Sequence, residues 1–217
     1  MPAYFSLTIE LYKDRHVIST FCENLVHSGL VFKSGYWGFE NDSFDDIITW
    51  NQTKLNENFQ LGYTEHHSHD YKQMLFDYFE FSEVRLFVMN NRKKNTFSFE
   101  LIVPEDDLLD YTEENEESYS VQLKPKRMEQ LKSIAKKMWV STDILAIQTG
   151  WEASGLPPSA GKIAMGIKPQ TEPFCIIHSS SFEKIPVLTY EYMERSGVLI
   201  EDITKYDKKV IMFQVVE

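Results

Sequence analysis

Six consecutive residues, Glu65-His66-His67-Ser68-His69-Asp70, carry the densest set of metal-ligating side chains in the chain. Histidines two apart beside a carboxylate hold zinc when the backbone bends to bring three or four ligands onto one ion. Here Asp70 follows His69 directly, Lys72 stands where a further ligand is needed, and His178 is the one histidine downstream. No cysteine lies near. A complete ligand set cannot be assembled, so the expectation is a polar loop that needs no metal or other cofactor. Its imidazoles are expected to titrate at about pH 6.5.

Other groups invite chemistry and fail on spacing. Gly155 to Lys162 has the outline of a phosphate loop, which requires GxxxxGK followed by Ser or Thr. Five residues separate Gly155 from Gly161, Pro157 and Pro158 lack an amide proton, and Ile163 replaces the hydroxyl. His178 precedes Ser179-Ser180-Ser181, but no orienting acid or nucleophile elbow accompanies it. The reading there is a strand end running into a turn. Cys22 and Cys175 fall in apolar stretches and read as buried free thiols, consistent with a cytoplasmic protein.

Glu105 to Glu117 stands apart in composition. Its 13 residues hold eight carboxylates and no base, and without those charges the formal net charge of −11 becomes −3. Two readings stand. Like charges repel and resist packing, which describes a solvated linker. The same charges can attract a basic protein, as inhibitors and immunity-type proteins attract basic toxins. In that reading Asp106, Asp107, Glu113 and Glu114 supply the field, and Leu108, Leu109 and Tyr111 supply apolar anchors within it.

An excess of acid excludes general nucleic-acid binding, which relies on cations neutralising phosphates. It equally disfavours an anionic membrane surface as partner. No apolar run approaches the roughly 20 residues that span a bilayer, and the N-terminus lacks the regions of a signal peptide.

Trp37 and Trp151 close the Gly35-Tyr36-Trp37 and Gly150-Trp151 stretches. Either each indole packs on the helix of its own unit, or the two line a pocket with His66, His67 and His69. A pocket between two halves would make the protein a hydrolase or small-ligand binder rather than a non-enzymatic docking protein.

The elements that position these residues follow from hydrophobic period. Phe5 to Leu11 alternates as a strand. Asp14 can cap a helix with a stripe of Val17, Ile18, Phe21, Cys22, Leu25 and Val26, and Leu30 to Ser34 is expected parallel to the first strand. Asn41-Asp42-Ser43 caps a helix through about Leu55, and Ser68 a short one bearing Tyr71, Met74, Leu75, Tyr78 and Phe79. A hairpin follows from Val84 to Val103. Tyr119 to Leu123 reads as a strand, Lys126 to Val140 as a helix with a basic outer face, and Ile144 to Ile147 as a strand. Short strands are expected at 163–167, 174–178 and 209–216, the last of them central, with a short helix at 188–195.

Strand, helix and strand thus occur twice, with Ser6 to Gly35 spanning 29 positions and Ser120 to Gly150 spanning 30. Duplication and the generic likeness of such units both explain that. The expected class is α+β, with mixed sheet(s), helices on one face and halves at 1–104 and 118–217 joined by 105–117. The two halves can equally pack as a single domain.

Overall fold

Apolar side chains at every second position, Phe5, Leu7, Ile9 and Leu11, give strand β1 (Tyr4–Tyr12) one wholly buried face. The computed structural model describes residues 3–60, 70–115, 118–182, 188–205 and 212–213, and places β1 in the middle of a nine-stranded sheet. On one side lie β5 (Thr96–Pro104), β4 (Val84–Asn90), β3 (Met74–Asp77) and the edge strand β2 (Val31–Gly35). On the other lie β8 (Ile144–Trp151), β9 (Phe174–His178), β11 (Gly197–Glu201) and the edge strand β10 (Thr189–Met193). The sheet therefore takes strands from both sides of the acidic segment. A second sheet has the order β12 (Met212–Phe213), β7 (Ser118–Leu123) and β6 (Leu109–Asn115).

The class is α+β, as the sequence predicts. Among the described residues all paired strands are antiparallel, with one isolated parallel bridge between Thr149 and Thr171. Three helices, α1 (Val17–His27), α2 (Phe44–Asn56) and α3 (Pro125–Ser141), bury their stripes against the face that carries Phe5, Leu7 and Ile9. Phe21 of α1 stacks on Phe99 of β5 at 3.9 Å between ring centres, and Trp139 of α3 is buried in the same core. A short helix, α4 (Ala160–Ala164), lies on the opposite face. Its Ile163 closes a second core over Ala146, Cys175, Ile177, Val198 and Ile200.

Several expectations are corrected by tertiary pairing. β2 points the same way as β1 but is separated from it by β5, β4 and β3, because the β4–β5 hairpin occupies the position beside β1. The stretch from Tyr71 to Phe79 fits a helical period and a strand period alike. It forms β3, whose Met74 and Phe76 are buried between β2 and β4. Residues 189–193 form a strand through Tyr190-Glu191-Tyr192 alternation, not a helix.

Of the region expected as a strand at 163–167, residues 163 and 164 end α4 and the rest turns away. The first amide of that helix, from Ala160, donates to the Glu10 carboxylate at 2.6 Å, a partner 150 residues away. Of 209–216, the described part pairs as β12 with β7, at the edge of the small sheet rather than centrally. Asp14 does not cap α1; the N-cap position is His16, whose amide donates to Asp14 Oδ1. Ser43 does cap α2, with Asp46 completing the reciprocal pair of hydrogen bonds. The two strand-helix-strand units do not repeat in topology: β1 and β2 share one sheet, whereas β7 and β8 lie in different sheets.

Candidate interaction surface

The acidic segment leaves β5 at Pro104, turns once as a 3-10 helix over Glu105–Asp107, and continues as β6. Like-charge crowding predicted a solvated stretch, but one apolar side chain overrides it. Leu108 is 0% exposed and belongs to the main core, so it is a root of the segment rather than an outward anchor. Burying a leucine is favourable by about 2 kcal/mol, more than a few exposed like charges cost one another.

Further bonds fix the same place. Asp107 Oδ2 accepts from the amide and the hydroxyl of Ser82, each at 2.8 Å, which ties the turn to the β3–β4 connection. The Lys124 amide donates to Leu108 O at 2.7 Å, and its ammonium reaches Asp106 O at 2.7 Å and Asp110 at 3.6 Å. Burial, with the neighbouring charges of Glu152 and Asp106, pushes the Glu105 carboxyl upward, partly opposed by a hydrogen bond from the Glu152 backbone.

The rest of the expected site residues divide by place. Asp106 and Asp110 are exposed, Leu109 is half-buried against the core, and Tyr111 is 49% exposed. Glu113 pairs with Tyr119 in the β6–β7 register, followed by a register shift before Asn115; Glu114 falls at that shift. The segment is thus a strand edge on a folded support, with Asp106, Asp110 and Tyr111 at its surface. The basic face of α3 is largely engaged within the protein. Lys132 pairs with Glu201, Lys136 with Glu191, Arg127 with Glu80, and Lys137 donates to Ser28 O.

The expected pocket is not assembled from its tryptophans. Trp37 is exposed at φ 48°, in a turn made possible by Gly35, where a Cβ would collide with the Phe39 carbonyl oxygen. Trp151 is half-buried at the end of β8, edge-on to Phe5 at 4.8 Å. β2, which Trp37 follows by two residues, and β8, which ends on Trp151, are five strand positions apart, about 24 Å at the usual spacing of about 4.8 Å. His66, His67 and His69 lie outside the described residues. Among the described residues, no group of three or more His, Cys, Asp or Glu is placed to hold a metal ion.

One titratable group escaped sequence reasoning. Glu100 of β5 is buried on the face opposite the main core, directly across from Thr8. Thr8 Oγ1 donates to it at 2.6 Å and Ser98 Oγ at 3.0 Å. Burial raises its pKa to about 7 despite these two donors. The polar alternation Ser6, Thr8, Glu10 in β1 was the visible signal, but nothing local to β5 shows that this face is covered.

Both thiols are buried, and burial pushes both upward, Cys175 to about 12. No described helix is long and apolar enough to cross a membrane. No family model, curated protein or solved structure matches the chain.

Proposed function

We propose that the protein is a cytoplasmic, non-enzymatic binding protein that recognises a basic protein partner through the acidic edge formed by residues 105–115. The observation that supports this reading is the rooting of the segment. Leu108 is in the core and Asp107 is clasped by Ser82, so Asp106, Asp110 and Tyr111 stand on a folded support. A linker needs only reach and solubility, whereas a fixed array of charge beside an exposed tyrosine suits recognition. Its carboxylates steer a basic surface toward the edge, and Tyr111 offers contact area with few rotamers to freeze. Inhibitors and immunity-type proteins that neutralise basic toxins work on this principle.

The test compares wild type with a variant carrying Asp106→Asn, Glu113→Gln and Glu114→Gln, both immobilised and exposed to native-host extract. Asp107 is left intact because Ser82 depends on it. The expected result is a basic protein, identified by mass spectrometry, retained by wild type and lost from the variant. Identical retained proteins would overturn the reading.

A second reading, a hydrolase or small-ligand protein with its site between the two halves, is favoured by Glu100. Its carboxyl is poised near neutrality and lies two strands from β8, across β1. Loss of a measured ligand affinity in Glu100→Gln, with folding intact, would promote that reading over the first.

A further inference from the structure

Two grooves of opposite character meet at Lys94, at the end of β1 remote from the acidic segment. The first, about 510 Å³, lies on the second face of the sheet beneath α4. Tyr12, Leu145, Ile163, Met165 and Ile177 give it an apolar lining, and Lys162 stands at its side. The second, about 580 Å³, is polar and lies between the β1–α1 loop, the C-terminal end of α2 and the β4–β5 turn. Lys13, Arg15 and Lys94 bring three cations to it, with Asn56, Asn58 and Asn95 between them.

Both carboxylates that border these grooves are already engaged. Glu10 accepts from the Ala160 amide at 2.6 Å, and Asp14 Oδ1 accepts from the His16 amide at 3.0 Å. Lys13 is held in place by Asn58 Oδ1 at 2.8 Å and Asn91 O at 3.0 Å, and burial lowers its pKa. Among the described residues, the ammonium groups of Lys94 and Lys162 and the Arg15 guanidinium have no ion-pair or hydrogen-bond partner. In a chain of net charge −11, the four cations Lys13, Arg15, Lys94 and Lys162 outnumber the carboxylates of Glu10 and Asp14 in these grooves and leave a net positive charge beside the apolar trough.

We propose that the joined grooves bind a single-chain anionic amphiphile, an alkyl or acyl chain ending in a phosphate. The chain lies in the apolar groove under α4, and the phosphate sits among Lys13, Arg15 and Lys94. Several cations drawn from different loops suit a group with more than one negative charge and several acceptor oxygens. Each methylene buried in the trough raises affinity roughly fourfold. Neither groove alone selects such a ligand; Lys94, common to both, sets the headgroup at the mouth of the trough. The site stands independently of the acidic edge, about 26 Å away along the eight residue steps of β1.

Titration calorimetry with decyl phosphate, below its aggregation concentration, tests this on the intact protein. The expected result is one saturable site, with decanol and inorganic phosphate each at least tenfold weaker. Lys94→Glu should weaken decyl phosphate at least tenfold; Lys94 is exposed, and circular dichroism checks that the variant folds. Three results would each overturn the proposal. These are absence of saturable binding, equal affinity for decyltrimethylammonium, and unchanged affinity in Lys94→Glu.

Discussion

Glu100 shows how a single side chain acquires properties its own strand does not announce. In the sequence it is one polar residue in the alternation Phe97, Phe99, Leu101, Val103, and that alternation correctly fixes which face it occupies. Its partner comes from tertiary pairing, which sets Thr8 of β1 directly across from it with the Thr8 hydroxyl donating to the carboxylate. The consequence is a pH dependence with a definite sign. The folded-state pKa is about 7 against an ordinary value of 4.5, so between these values the folded protein holds a proton that the unfolded chain has lost. Stability conferred by this group is therefore fully present below pH 4.5 and is lost as pH rises through 7, by about 3 kcal/mol in all. Glu100→Gln should flatten that slope. Against wild type, the variant should gain about 2 to 3 kcal/mol at pH 8 and almost nothing at pH 4.5, read from urea unfolding. Equal pH profiles for the two proteins would show that the carboxyl titrates normally.

At the scale of elements, long periodic segments were legible and short ones were not. The helix from Val17, the Ser43 cap and the hairpin from Val84 to Val103 all carry their own local signal and form as expected, although of the predicted stripe only Ile18, Phe21, Cys22 and Leu25 are buried and Val26 is exposed. β3, α4 and β10 are four or five residues long, and at that length the choice is made by neighbours. β3 is settled by pairing on both sides, and α4 by a carboxylate on β1. The acidic segment was misjudged for a related reason: its composition describes eight charges, whereas its placement is decided by Leu108. Leu108→Ala should accordingly cost about 3 kcal/mol, within the range of roughly 2 to 5 for truncating a fully buried leucine. Amide hydrogen exchange should rise in β6 more than in β1 or β5, because Leu108 is what roots that strand. Uniform exchange changes, or a loss below about 1 kcal/mol, would return the segment to the status of a tethered linker.

For the molecule as a whole, charge is distributed along the strand direction. The acidic edge follows β5 at the end where Tyr4 pairs with Pro104, and Lys13, Arg15 and Lys94 cluster at the opposite end, beyond Tyr12 and Thr96. Such a separation orients an approaching charged partner before contact. The cation cluster was not legible in sequence, because its members come from turns some 80 residues apart and become neighbours through the β1–β5 pairing. The acidic run itself was legible. The guiding role proposed for this run is read out by association kinetics. With the partner recovered from native-host extract, the association rate is measured against ionic strength for wild type and for the variant with Asp106→Asn, Glu113→Gln and Glu114→Gln. At low salt the variant should associate at least tenfold more slowly, the two rates should converge as salt screens the field, and dissociation should change little. Equal association rates with equal salt slopes would show that the run does not steer a partner.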